Sequence, residues 1–124
     1  RRREFAKFQE LTGKLYRAGV PLLVGTDAPE PQVTPGFAMH QELEMLVDSG
    51  LPPAAALTAA TLTNATVLKE HERLGSISVG KVADILLLSA NPLDDIRNTR
   101  SIEIVIHHGT ICHPEELLQR VPSE

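Results

Sequence analysis

An α/β fold is what this sequence predicts, and three observations carry the prediction. Apolar residues at helical spacing fill the first half, and short apolar runs of strand type fill the second. Between two of the helical stretches lies Val20-Pro21-Leu22-Leu23-Val24, an aliphatic run that leaves through Gly25-Thr26-Asp27. A run apolar on both faces suits a parallel strand covered by helices. Asp27 stands where that run stops, so the strand would carry one carboxylate to its C-terminal mouth. In a (β/α) barrel that mouth is where catalytic groups collect, because the loops there surround a shared cavity. A carboxylate so placed is a candidate metal ligand or general base. The competing reading is a loop cap after a strand, the ordinary work of Asp in such a joint.

The elements follow in order. Phe5, Phe8, Leu11 and Leu15 recur at helical spacing from Glu4 to Ala18, and Gly19 supplies the stop. The strand Leu22 to Thr26 comes next, then a loop from Ala28 to Gly36, whose Pro29, Pro31 and Pro35 keep it from extending the strand. Phe37 to Ser49 reads as an amphipathic helix with Met39, Leu43, Leu46 and Val47 on one face, ended by Gly50. Leu51-Pro52-Pro53 opens another helix, since proline is accepted in a first turn whose N–H would be unpaired anyway. Asn64 falls on its apolar face, so its amide is expected to bond backbone where the helix breaks near Thr61 to Thr63.

After Lys69 the character changes. Leu74 to Lys81 alternates apolar and polar and turns at Gly80, a strand-type pattern. Asp84 to Leu88 and Ile102 to His108 read as strands, the second followed by a tight Gly109-Thr110 turn, and Pro114 to Val121 as a short terminal helix. A boundary is expected near Glu70 to Arg73.

Composition narrows the function. The chain has 124 residues, about half of a full barrel. It is 42% hydrophobic and 23% charged, hence globular, and aromatics are only 3%, so Leu, Val, Ile and Ala must build the core. A net charge of -4 argues against nucleic acid or an anionic membrane as partner, and Arg1-Arg2-Arg3 reads as a helix entrance. No apolar run approaches the roughly 20 residues that span a bilayer. No signal peptide is read at the start, and the single cysteine, Cys112, leaves no internal disulfide; both lead to the expectation of a cytoplasmic protein.

The other chemistry-bearing residues have bland readings beside sharp ones. His40, early in its helix and beside the loop that leaves Asp27, is a candidate substrate contact; the simpler reading is a partly exposed histidine bordering the apolar face. His71, in Lys69-Glu70-His71-Glu72-Arg73, is a surface residue. His107, His108, Cys112 and His113 offer four zinc-type donors within seven positions. Adjacent strand residues point to opposite faces, however, so His107 and His108 are not expected to share one ion. Gly75 and Gly80 are isolated turn glycines rather than a phosphate cradle. Asp84 is read as a cap of the turn before its strand or a partner of Lys81.

Taken in order, Gly25-Thr26-Asp27, His40 with Glu42-Leu43, Gly50-Leu51, Ala56-Leu57, Ala59-Ala60-Thr61 and Asn64-Ala65 form a recognisable series. Gly75-Ser76-Ile77, Gly80-Lys81-Val82-Ala83-Asp84-Ile85, Asn91-Pro92-Leu93, Val105 and Gly109 continue it. The series resembles the C-terminal part of the metal-dependent amidohydrolase superfamily, closest to the imidazolonepropionase-like branch that includes prolidase-type dipeptidases. The Gly-Lys-x-Ala-Asp element is the most specific piece. The resemblance implies an α/β fold made of the C-terminal part of a (β/α)8 barrel, its last strand and flanking helices, followed by short strands of a small β-sandwich. By that analogy residues 1–72 belong to the barrel, 73–113 to the sandwich, and 114–124 form a terminal helix or tail. Asp27 matches the family's eighth-strand aspartate, which binds a divalent metal in many members and takes the proton of the attacking water.

The departure is as informative. Full members carry a His-x-His pair, a lysine or glutamate and two further histidines on other strands, and no His-x-His occurs here. A catalytic zinc takes about three protein ligands. The expectation is therefore a fragment that begins at the helix before the last barrel strand and is inactive alone. The intact enzyme would use a divalent metal, zinc foremost, to hydrolyse a C–N bond in a small amide or dipeptide. The competing expectation is a non-catalytic assembly module that docks to a partner chain or associates with itself as a homo-oligomer.

Overall fold

Helices occupy the first part of the chain and a small antiparallel sheet the second, in a computed structural model that describes residues 2–28 and 33–118. Helix α1 spans Arg2–Arg17 and α2 spans Phe37–Asp48, both within a residue or two of the ranges that their apolar spacing predicts. They cross closely at Gly13, where a Cβ would lie 2.2 Å from the Ser49 carbonyl oxygen. On α2, Ala38, Leu43 and Leu46 are buried.

A third helical run starts at α3, Pro53–Thr58, with Pro53 in its first turn as expected. It widens into a π turn over Ala59–Thr63 and closes as α4, Asn64–Val67. Threonines accompany the irregularity. The hydroxyls of Thr58, Thr61 and Thr66 donate to the carbonyls of Ala54, Leu57 and Leu62 at 2.8, 2.7 and 2.7 Å, a competition that bends helices. The break foreseen near Thr61 to Thr63 is thus present. Asn64, however, does not bond the broken helix: its Nδ2 donates to the Val24 carbonyl at 2.8 Å.

That contact explains a correction. The expected strand Leu22 to Thr26 forms no ladder, because a strand exists only where a neighbouring backbone pairs with it, and none does among the described residues. Side chains take the place of the ladder. Asn64 satisfies the Val24 carbonyl, and the Gly25 N–H donates to Glu42 Oε1 at 3.0 Å. Val24 is buried in a core with Leu43, Leu46, Leu51, Ala56, Ala59 and Ile96. Of the loop prolines, Pro29 and Pro31 lie outside the described residues, while Pro35 and Gly36 turn into α2.

The alternation from Leu74 to Lys81 also yields no strand: Ile77 and Val79 are exposed, and the segment is tied as a loop. Lys81 ties it, its ammonium donating to the carbonyls of His71 and Leu74 and to Ser76 Oγ. Lys81 is therefore not the partner of Asp84.

The sheet has order β1-β2-β3, with β1 Ile85–Leu88, β2 Ile102–His107 and β3 Thr110–Cys112, all antiparallel. Ile85 faces Ile106 and Leu87 faces Ile104 before a register shift at Leu88. Strands β2 and β3 join through His108 and Gly109, at φ 49 and 79, positive at both positions as a type I′ hairpin turn requires. A 3₁₀ helix over Ile96–Arg100, which nothing in the periodicity announces, connects β1 to β2. Asp95 Oδ1 caps it by accepting the Arg97 N–H at 3.0 Å, and Ile96 sends it into the core. Arg100 locks it to α2, pairing with the Glu44 carboxylate and lying 4.8 Å over the Phe37 ring. Helix α5, Pro114–Leu118, begins where the predicted terminal helix does, and the remainder of that prediction lies outside the described residues.

Candidate functional site

Asp27 is exposed and holds φ at 52°, the left-handed region that few residues except glycine, asparagine and aspartate enter readily. Such a backbone costs on the order of 1–3 kcal/mol and persists where the surroundings dictate it. Immediately upstream, Val24 is anchored in the core, its carbonyl is held by Asn64, and the next amide is held by Glu42. Three separate elements, α2, α4 and the Val20–Asp27 segment, thus converge just before the carboxylate. The amide of Asn64 was traceable in the sequence as a polar group on an apolar face; the role of Glu42 was not, because its partner is 17 residues away.

As to metal, Asp27 belongs to no group of three His, Cys, Asp or Glu side chains among the described residues. One carboxylate is a suitable hard ligand but only part of the set that a catalytic zinc takes. This chain's own residues therefore offer one ligand at that position.

His40 is half-buried and turned to the 3₁₀ helix, its Nδ1 2.9 Å from Thr99 Oγ1. The Thr99 hydroxyl donates its one hydrogen to the Ile96 carbonyl at 2.9 Å. In the tautomer that matches this pairing the imidazole donates through Nδ1–H, which leaves Nε2 as an acceptor. Burial holds its pKa below the ordinary 6.5, with the Arg100 cation adding to the effect and Glu44 opposing it.

The histidines at the hairpin are a second correction. Strand β2 ends at His107, and His108 takes a left-handed turn, so the strict alternation of faces does not reach it. Both rings come to Asp84: His107 Nδ1 lies 3.1 Å and His108 Nδ1 3.5 Å from its Oδ1. The same oxygen accepts the His108 N–H at 2.8 Å, a bond that is the largest cause of the lowered pKa of Asp84. Asp84 thus caps the β2–β3 hairpin turn, not the turn before its own strand that the sequence suggested, with two imidazoles beside it. Cys112 is half-buried in β3 and stands outside this group, as does His113. His71 is exposed, as expected.

No helix among the described residues is long and apolar enough to cross a membrane. Comparison with known proteins finds that a family model described as "Amidohydrolase family" matches residues 3–113. An imidazolonepropionase of Herpetosiphon aurantiacus is 40% identical over 73 residues, which cover 54% of this chain and 16% of that protein. Among solved structures, molinate hydrolase superposes with a TM-score of 0.80 at 31% identity, covering 90% of this chain and 27% of the other. A Xaa-Pro dipeptidase with bound methionine in its active site gives 0.75 at 30% identity, with coverages of 85% and 25%. The chain thus spans roughly a sixth to a quarter of the length of these relatives. On the match across residues 3–113, and on the order of elements that surrounds Asp27, the chain belongs to the amidohydrolase family, among its imidazolonepropionase-like and prolidase-like members.

Proposed function

We propose that this chain is the C-terminal portion of a metal-dependent amidohydrolase that hydrolyses a C–N bond in a small amide, cyclic amide or dipeptide, and that Asp27 is its catalytic carboxylate. In this reading residues 1–72 complete a (β/α)8 barrel, with Leu22 to Thr26 as its last strand. Residues 73–113 contribute to a composite β-sandwich, and 114–124 form the tail. The observation that carries the proposal is the position of Asp27. It follows a core-anchored aliphatic segment that Asn64 and Glu42 hold at Val24 and Gly25, in left-handed backbone and inside the matched family region. An unpaired backbone at Leu22 to Thr26 is what a barrel strand looks like without its neighbours.

What a divalent metal supplies when bound, zinc foremost, is a polarised carbonyl and a more acidic water. Asp27 would be its ligand from this chain. The carboxylate itself accepts a proton from the attacking water as the C–O bond forms, and returns it to the leaving nitrogen as the C–N bond breaks. His40 is the candidate substrate contact through Nε2, the ring atom that its bond to Thr99 leaves available.

The test is Asp27→Asn in the full-length protein, assayed against Xaa-Pro dipeptides and N-acyl amino acids. A loss of at least ~10²–10⁴-fold in kcat, with the fold intact, is expected. Full activity of the variant would overturn the assignment. A second reading, a non-catalytic module that self-associates, is favoured by one observation: Phe5, Phe8 and Leu11 of α1 are exposed.

A further inference from the structure

We propose that Asp84, His107 and His108 form a surface binding site for a divalent transition-metal ion, Zn²⁺ by preference, separate from the position of Asp27. Register pairs Ile85 with Ile106, so one further step sets Asp84 opposite His107 at the end of the β1–β2 ladder. The type I′ turn then carries His108 back over the same end, and its backbone N–H bonds Asp84 Oδ1 at 2.8 Å. That bond takes one lone pair of Oδ1 and orients the carboxylate, leaving the oxygen's other lone pair for an ion.

The distances match a zinc coordination shell. Tetrahedral ligands about 2.0–2.1 Å from zinc lie about 3.3–3.4 Å from one another. Asp84 Oδ1, His107 Nδ1 and His108 Nδ1 form a triangle with edges of 3.1, 3.5 and 3.2 Å. The three donor atoms are thus spaced as zinc ligands are, and turning the two exposed rings brings their lone pairs to one ion. The fourth vertex is left to water, because all three side chains are exposed. His108 Nδ1 is also 3.1 Å from His107 Nε2, so it lies over the His107 ring in this arrangement. The rings meet edge to face, 79° apart with centroids at 4.3 Å, rather than stacked. Two imidazoles and one carboxylate are a donor set suited to zinc, and one that binds nickel and copper as well.

The experiment is equilibrium dialysis of the tag-free 124-residue chain against ZnCl₂, with elemental analysis of the bound metal. One zinc per chain is expected. His107→Ala and His108→Ala, exposed positions whose loss leaves the core untouched, should each weaken binding at least ~10-fold. Cys112→Ser and His113→Ala should leave it unchanged. Cobalt(II) bound in place of zinc should show the visible spectrum of a four-coordinate ion, and lose it in the histidine variants. The proposal is overturned by the absence of saturable zinc binding. Equal binding by the His107→Ala/His108→Ala double variant would also overturn it. None of these readouts depends on hydrolytic activity, so the site stands or falls apart from the proposed reaction.

Discussion

His40 links two parts of the chain that are 59 positions apart, and its protonation state couples that link to pH. Burial, reinforced by the nearby Arg100 cation, makes the folded chain bind a proton at this ring less readily than the unfolded chain does. A depressed histidine pKa contributes stability that is complete above the unfolded value of 6.5 and is lost as pH falls through the folded value. Thermal melts between pH 8 and pH 5 should therefore show a Tm that declines on the acid side. His40→Gln, which retains an N–H for Thr99 Oγ1 but does not titrate, should decline less over that window. A steeper decline in the variant would contradict this account. Asp27 shows the other lesson at this scale. Its residue type and place after an aliphatic run were legible, whereas its left-handed backbone and the Asn64 and Glu42 bonds that hold the segment before it were not.

Among elements, the π turn and the loop that packs on it are the most demanding. Gly75, which read as an ordinary turn glycine, has φ at 84°, and a Cβ there would lie 2.7 Å from Ala65 Cβ and 2.9 Å from Leu62 Cα. Gly109 has a similar φ of 79° but nothing within 4 Å of its Cβ position. The pair separates conformation from space. Gly109→Ala should cost about 1 kcal/mol, the strain of a left-handed alanine. Gly75→Ala should cost about 2–4 kcal/mol, because overpacking adds to that strain. Urea unfolding with unchanged m-values checks both, and equal costs would show that the contact with α4 is soft. The missed 3₁₀ helix belongs here too. Five residues carry too little periodicity to announce themselves, and its stability comes from the Asp95 cap, buried Ile96 and the lock to Glu44 and Phe37.

At the scale of the whole molecule, apolar surface remains uncovered. Phe8 is 67% exposed and Ile77 82%, and β1 is a sheet edge with Leu86 and Leu87 partly open. Burying a phenylalanine side chain is worth roughly 1.5–3 kcal/mol, enough to favour association wherever two such faces meet. Sedimentation velocity on the 124-residue chain should show mass rising with concentration, and Phe5→Ser/Phe8→Ser should shift it toward monomer. A concentration-independent monomer would remove the self-association reading. It would leave the amidohydrolase reading, in which other parts of a longer protein cover these faces, untouched.

The helices were legible because their signal is local: apolar spacing, proline at the first turn and glycine at the end act within a few residues. The family was legible because Gly25-Thr26-Asp27 and Gly80-Lys81-Val82-Ala83-Asp84 stand in order along the chain. Strand pairing was not, since the same aliphatic pattern forms a ladder at Ile85–Leu88 and none at Leu22 to Thr26, the difference being a partner backbone. Nor was the meeting of Asp84 with His107 and His108, 23 and 24 positions away. Residue types and local periodicity are properties of the chain itself. Which polar groups share a point in space depends on register and on one left-handed turn, and those exist only once the sheet has closed.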